Sequence, residues 1–417
     1  MKKTAISLLL AVAMVFSLVL VAAPVAQAAE HTDHCVCGGT SSGVGGHTCA
    51  NVTWTKWEAT DSLPTTAGNY YLDKDVTIAT DRWAPENVDI VLCLNGHTVK
   101  STISDKKQNQ VLSLKANVTI CDCDNTKGAN GEYTFGGTVT SETTYEGSNG
   151  TIFYIQEGEY TMNIFGGNWI APTAKQASGS IAYVSDKNVL NIYNGFFQGG
   201  TVTDRGGAIN VSYGTVNMYG GTIKGGESVA TDAAEGGGMI RVSGNSAGTK
   251  KAVFNMYGGT IEGGKANQNG GIFIVQNYAT LNVSGGTIKG GTAGTRGGNI
   301  YVTTNGTVNI TGGTITGGTA ANGKEIFALG TATVKVTKLS GTTVVETDGG
   351  EKAVLDLSAL DKSVSKTVSG NVTTLAPASA KPNNPATGDS ANLVVMGLGL
   401  VLGVAGMACL LPKKQTV

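Results

Sequence analysis

A ten-residue pattern that recurs at a nearly constant interval constrains this chain more than any other feature. Asn217-Met218-Tyr219-Gly220-Gly221-Thr222-Ile223-Lys224-Gly225-Gly226 returns in close copies that start at Asn255, Asn282 and Asn309. Weaker copies start at Asn163 and Asn191. The leading asparagines are 28, 26, 38, 27 and 27 residues apart. The long interval holds an insertion between Gly226 and Lys251. A fixed period of this length is the signature of a stacked repeat architecture.

The pattern inside one repeat shows which side chains point inward. The residues flanking each asparagine are apolar: Met162 and Ile164, Leu190 and Ile192, Val216 and Met218, Phe254 and Met256, Leu281 and Val283, Val308 and Ile310. This period-two alternation marks a half-buried strand. Six residues past each asparagine stands a second apolar column, Trp169, Phe197, Ile223, Ile261, Ile288 and Ile315. A third recurs further on as Ile181 and Tyr183, Ile209 and Val211, Phe273 and Val275, Ile300 and Val302. Glycine pairs separate the columns and permit the positive φ of a tight corner. Three short strands per repeat predict a triangular solenoid of three parallel sheets. One repeat cannot bury its apolar face alone, but stacked coils cover one another at about 4.8 Å. Coils running from about Asn87 to Val372 number on the order of ten and make a rod roughly 50 Å long. A β-propeller needs longer units of four antiparallel strands, and the alternation excludes helical repeats.

Composition agrees. Glycine contributes 61 of 417 residues and proline only 8, with no collagen-like period. The formal net charge is −1, which lacks the basic footprint of a nucleic-acid binder. The Gly-Gly-Thr-Ile coils resemble the pectate-lyase-like superfamily of right-handed parallel β-helices. Together with the Cys-rich N-terminal segment, they are similar to glycine-rich surface proteins of Firmicutes. The resemblance covers most of the chain and implies an all-β right-handed parallel β-helix. It leaves activity open, because the superfamily includes lyases, hydrolases, adhesins and spacers.

Both ends read as export and anchoring segments. Lys2, Lys3, an apolar run from Ala5 to Ala23 and Ala26-Gln27-Ala28 form a signal-peptide pattern, with cleavage expected after Ala28. An uncleaved anchor is the alternative. Residues 391–411 carry no charge and are long enough to span a bilayer, and Lys413 and Lys414 follow. Just before them stand Asn384-Pro385-Ala386-Thr387-Gly388. This end resembles Gram-positive cell-wall sorting signals. The resemblance implies that a sortase cuts between Thr387 and Gly388 and joins the chain to peptidoglycan. Asn384 stands where the common form has leucine, and the basic tail is short. A plain membrane anchor is the other reading. The expected organisation is a signal peptide (1–28), a Cys/His-rich segment (29–60), the β-helix with its cap (61–375) and a linker with the sorting motif (376–390). A transmembrane helix (391–411) and a cytoplasmic tail (412–417) complete it.

Candidate chemistry is concentrated near the N-terminus. His31, His34, Cys35, Cys37, His47 and Cys49 lie close together, and three of the chain's four histidines are among them. Cys35, Cys37, His47 and Cys49 supply four zinc-type ligands. Their spacing is not that of a standard finger, and in an exported protein disulfides are the competing outcome. Either crosslink would help the segment act as the end cap that a solenoid needs. Trp54, Trp57, Tyr70, Tyr71 and Trp83 are positioned to close the first coil. Cys93 and Cys121 are about one coil apart, so a disulfide between neighbouring coils is an expectation, with two buried thiols as its alternative.

On the rod itself, stacked asparagines are expected to form amide ladders. Lys224, Glu262 and Lys289 should form a solvated, cross-paired column. Arg205, Asn269 and Arg296 are the candidate surface for an acidic glycan. The insertion, with Asp232, Glu235 and Arg241, is a second candidate contact loop. No aspartate column of the polygalacturonase kind appears. The expected function is therefore a structural or adhesive cell-surface protein with no catalytic residues assigned. A polysaccharide lyase or glycoside hydrolase is the alternative. No cofactor is expected apart from a structural zinc, should one bind Cys35, Cys37, His47 and Cys49. The expected partners are sortase, peptidoglycan and host or dietary glycans.

Overall fold

The computed structural model describes residues 31–105, 109–232, 237–350 and 352–378. The expected signal peptide, the sorting motif, the membrane segment, the cytoplasmic tail and Glu235 lie outside the described residues. The described chain is all-β, built of short strands that pair mainly in parallel and stack into sheets. This arrangement is consistent with a parallel β-helix. Among the described residues the helical content is the 3-10 turn Val44–Gly46, and no helix is long and apolar enough to cross a membrane.

The asparagine strands form the first sheet. Thr161–Ile164, Val189–Ile192, Thr215–Met218, Val253–Met256, Thr280–Val283 and Thr307–Ile310 pair in register, asparagine opposite asparagine. The apolar neighbours of each asparagine point inward and are fully buried or nearly so. The amides outside form the expected ladder. Asn191 donates to Asn163, Asn217 to Asn191, Asn255 to Asn217 and Asn309 to Asn282, each at 2.8 Å, and Asn282 donates to Asn255 at 2.7 Å. Each inner amide gives one N–H to one neighbour and accepts at its oxygen from the other, and Asn163 at the start of the row donates to Thr119 Oγ1 at 3.2 Å. The sheet begins earlier than Asn87, with Thr55–Trp57 and Gly68–Leu72, and ends at Val354–Asp356.

The Thr-Ile strands form a second sheet in the same manner, including Thr222–Lys224, Thr260–Glu262 and Thr287–Lys289. Between these two sheets the second glycine of each pair, Gly221, Gly259, Gly286 and Gly313, holds φ of +79°, +83°, +77° and +78°. A Cβ at Gly286 would lie 2.6 Å from the Gly259 carbonyl oxygen. The corner thus needs glycine both for its left-handed backbone and for the close stacking of coil on coil.

Two expectations are corrected. In the third sheet, Ala182–Ser185 pairs with Ile209–Ser212 so that Ala182 meets Ile209 and Val184 meets Val211. Ala182 and Val184 are therefore the inward pair, and Tyr183 faces outward, one residue off the expected register. Ile181 is buried at the corner just before the strand. The coil also has a fourth side. Gln176–Ser178, Thr201–Arg205, Glu227–Ser228, Lys265–Ala266 and Thr292–Ala293 form a five-stranded sheet of their own. These strands are mostly two residues long and bury small side chains such as Ser228, Ala266 and Ala293. Segments so short carry no alternation for a period-based reading to detect.

The insertion does not form one loop. The strand Ile240–Ser243 lies within it and fills the missing rung of the third sheet, pairing with Ile209–Ser212 on one side and Phe273–Gln276 on the other. Arg241 sits in that strand and is buried, while Asp232 is exposed. The extra residues are split between the two connections that flank the strand.

Trp57 and Tyr70, in edge-to-face contact at 5.6 Å, and the buried Trp83 pack on the core at the first coils, whereas Trp54 and Tyr71, expected with them, pack among the cysteines of the N-terminal segment. At the far end, Thr343–Thr347 pairs antiparallel with Val372–Pro377, which pairs antiparallel with Val364–Ser369. The switch to antiparallel pairing covers the last coil with a hairpin and ends the stacking of parallel strands.

Candidate metal centre

The N-terminal segment has almost no core of its own, so its shape depends on turns and on what it touches. His34–Cys35 pairs antiparallel with Asn51–Val52. Between them the chain makes two tight turns. Gly38 N–H donates to Cys35 O at 2.9 Å and Thr40 N–H to Cys37 O at 3.1 Å. His47 N–H donates to Val44 O at 3.0 Å. The first turn brings Cys35 and Cys37 together, and the second presents His47 and Cys49 to them. Gly38 has φ +58°, and a Cβ there would lie 2.6 Å from the Asp122 carbonyl oxygen. The turn therefore presses directly on the solenoid.

These turns make a compact ligand set. Cys37 Sγ lies 3.4 Å from Cys35 Sγ and 2.9 Å from Cys49 Sγ, and Cys35 Sγ lies 3.3 Å from His47 Nε2. All four atoms lie within 4.8 Å of one another. Tetrahedral zinc, with bonds of about 2.0–2.3 Å, separates its ligand atoms by roughly 3.3–3.8 Å. The cluster expected from sequence thus fits a metal ion in donor type; its Cys35–Cys37 and Cys35–His47 spacings fall in this range, and Cys37–Cys49 is shorter. Its electrostatics agree. Burial raises the Cys35 thiol, but hydrogen bonds from Cys49, the Cys37 backbone and His47 outweigh it and bring the thiol down to about 6. Burial, then the neighbouring Cys35 and Cys37, push Cys49 up to about 12. A cation bound here would favour the thiolate form of the sulfurs it ligates.

A second group of four, which sequence spacing did not reveal, lies beside the first. His31, His34, Cys93 and Cys123 also bring their ligand atoms within 4.8 Å of one another. Cys93 is register partner to Cys121 across the strands Glu86–Cys93 and Leu112–Cys121, as the disulfide expectation required. The two are not bonded, and all six cysteines among the described residues are thiols. Cys93 Sγ instead lies 3.3 Å from Cys123 Sγ.

The segment does not cap the end of the solenoid, as expected, but runs along its flank. Matched positions at the C-terminal ends of the asparagine-sheet strands form an outward column: Tyr71, Cys93 and Cys121 within their strands, then Phe165, Tyr193, Tyr219 and Tyr257 just after theirs. The segment lies along this column as a strap. His31 stacks on Tyr71 at 3.9 Å, and His47 meets Phe165 at 4.6 Å. Thr40 Oγ1 donates to Phe165 O at 2.7 Å, and Asn125 Nδ2 donates to Gly38 O at 3.0 Å. A Cβ at Gly45 would collide with the rings of Tyr193 and Tyr219. Phe165, Tyr193, Tyr219 and Tyr257 stack on one another at 4.2, 4.9 and 4.9 Å. Beyond Tyr257 the column continues as Ser284 and Thr311. This change from aromatic to small polar, two residues after each asparagine, was the sequence signal for the strap's seat.

Arg205 forms an ion pair with Asp204 at 3.3 Å. Asn269 and Arg296 are bridge partners, but Asn269 is fully buried and the Arg296 guanidinium lies 5.5 Å over the Phe327 ring. Lys224 and Lys289 both pair with Glu262, at 3.6 and 3.0 Å, as the alternating column predicted. The hydrogen bond from Lys289 is the main cause that holds the Glu262 carboxyl below its usual range. No known family model matches this chain. No curated protein and no solved structure is significantly similar to it.

Proposed function

We propose that this chain is a structural and adhesive rod of a Gram-positive cell surface, a right-handed β-helix of the pectate-lyase-like kind that contacts glycans through its strap side. Its N-terminal strap is held in shape by a structural zinc at Cys35, Cys37, His47 and Cys49. With four protein ligands the metal has no open position for substrate, which suits a structural role.

The observation that carries the adhesive reading is the stacked tyrosine row. Tyr133, Tyr193, Tyr219, Lys224 and Glu262 line one groove beside the strap. Tyr257, 49% exposed, extends the row past the end of the strap. Broad aromatic faces flanked by fixed polar groups are suited to the apolar faces and hydroxyls of sugar rings. This surface replaces Arg205, Asn269 and Arg296 as the proposed contact region.

Binding to immobilised polygalacturonate and mucin glycans tests this reading. A Tyr219→Ala/Tyr257→Ala variant is expected to lose at least tenfold in affinity while keeping its fold. Unchanged retention by the variant, or release of unsaturated or reducing ends by the native chain, would overturn it. Anchoring is proposed to proceed by sortase cleavage between Thr387 and Gly388. Thr387→Ala should then move the protein from the wall fraction to the membrane fraction, and continued wall attachment would remove that claim.

A further inference from the structure

The second cluster differs from the first in what it joins. Cys35, Cys37, His47 and Cys49 all belong to the strap. His31 and His34 belong to the strap, but Cys93 and Cys123 belong to the solenoid. We infer that His31, His34, Cys93 and Cys123 form a second zinc site, a clamp that fastens the strap to the flank of the rod.

Three independent features point to a metal there. The first is donor chemistry. Two imidazoles and two thiols, with no carboxylate among the four ligands, form a set that selects zinc over magnesium or calcium. The second is the orientation of His34. Its Nδ1 lies 2.6 Å from the carbonyl oxygen of Cys35, which can only accept, so Nδ1 carries the proton. In the neutral ring Nε2 then carries the lone pair, and it lies 3.0 Å from Nε2 of His31. A ligating histidine characteristically gives its other N–H to a backbone carbonyl in this way. The third is the fixing of the two imidazole rings. The His31 ring is parallel to Tyr71, with 1° between the planes, and both histidines contact Trp54. Trp54 Nε1 donates to His34 O at 3.0 Å. The two histidine ligands are thus supported from outside before any ion arrives.

The two clusters differ in the charge they would carry. On binding Zn²⁺, Cys93 and Cys123 release their two protons and become thiolates, while both histidines ligate as neutral imidazoles, so the centre carries no net charge. A centre of three thiolates and one imidazole carries −1. Each cluster has ligands at the surface as well as buried ones: Cys93 is buried beside the partly exposed His31, His34 and Cys123, and Cys35 and Cys37 are buried beside the partly exposed His47 and Cys49.

Metal content of the purified full chain, prepared with zinc and without reductant, tests the clamp. Two equivalents are expected per chain. The His31→Ala/His34→Ala variant changes only the strap side and leaves the core of the rod untouched, so it should fold and retain one equivalent. Cys37→Ser should also retain one, at the other centre. Cobalt loading should show sulfur-to-metal charge transfer from both sites in the native chain. In the histidine variant about three-fifths should remain, because the three thiolates of Cys35, Cys37 and Cys49 still bind metal while those of Cys93 and Cys123 do not. The clamp also predicts that protease cuts the strap of the histidine variant at least tenfold faster. A native chain with a single equivalent, a histidine variant that keeps two, or a Cys93–Cys123 disulfide found by mass spectrometry would each overturn the inference.

Discussion

The repeat body and the strap solve the same problem, holding a glycine-rich chain in one shape, by opposite means. In the body every coil is its neighbour's support. Apolar columns stack inward, asparagine amides pair from coil to coil, and a change in one rung is felt by the two beside it. In the strap there is no neighbour of like kind. Its glycines, Gly38, Gly39, Gly43, Gly45 and Gly46, all take positive φ and bury no side chain. Its stability is borrowed from thiols, imidazoles and the aromatic column beneath it. The body is thus held by many small repeated terms, and the strap by a few concentrated ones.

The contrast can be broken most directly by two single substitutions. Phe254→Ala removes a fully buried ring that packs edge-to-face on Phe273 at 5.2 Å. It should cost about 3–5 kcal/mol in the unfolding of the rod. Cys37→Ser should abolish metal at its centre and expose the strap amides to hydrogen exchange, yet shift the main unfolding transition far less than Phe254→Ala. Equal shifts in that transition would mean that strap and rod are one cooperative unit. A smaller effect sharpens the account of the body. Asn255→Ala deletes a donor to Asn217 and an acceptor for Asn282 at once. Denaturant unfolding should show a loss of about 1–3 kcal/mol, with metal content unchanged. No measurable loss would show that water replaces the ladder.

The two regions were also unequally legible in the sequence. Asn217, Asn255, Asn282 and Asn309 announced their register because a solenoid repeats its geometry whenever it repeats its sequence. The Lys224–Glu262–Lys289 pairing followed from the same translation by one coil. Reading went wrong where the repeat weakens. The residues at Ile181–Val184 offered two overlapping apolar pairs, and only hydrogen bonding to Ile209–Ser212 chose between them. Ile240 and Val242 belong to an inward column, but the insertion hid them by displacing the period. The two-residue strands of the fourth sheet were too short to show any pattern.

The metal ligands divide along the same line. Cys35, Cys37, His47 and Cys49 could be grouped from sequence because short turns bring near neighbours together. His31 and His34 meet Cys93 and Cys123 only because the strap returns along the flank. That path is set by where aromatic side chains were left on the outside of successive coils. The sequence by itself determined the coil, its inward columns and its asparagine ladder, because these depend on local alternation and a fixed repeat. The tertiary structure alone decided that the strap lies on the side of the rod and that two ligand sets form there. Contacts between segments so far apart in the chain are governed by packing, not by spacing.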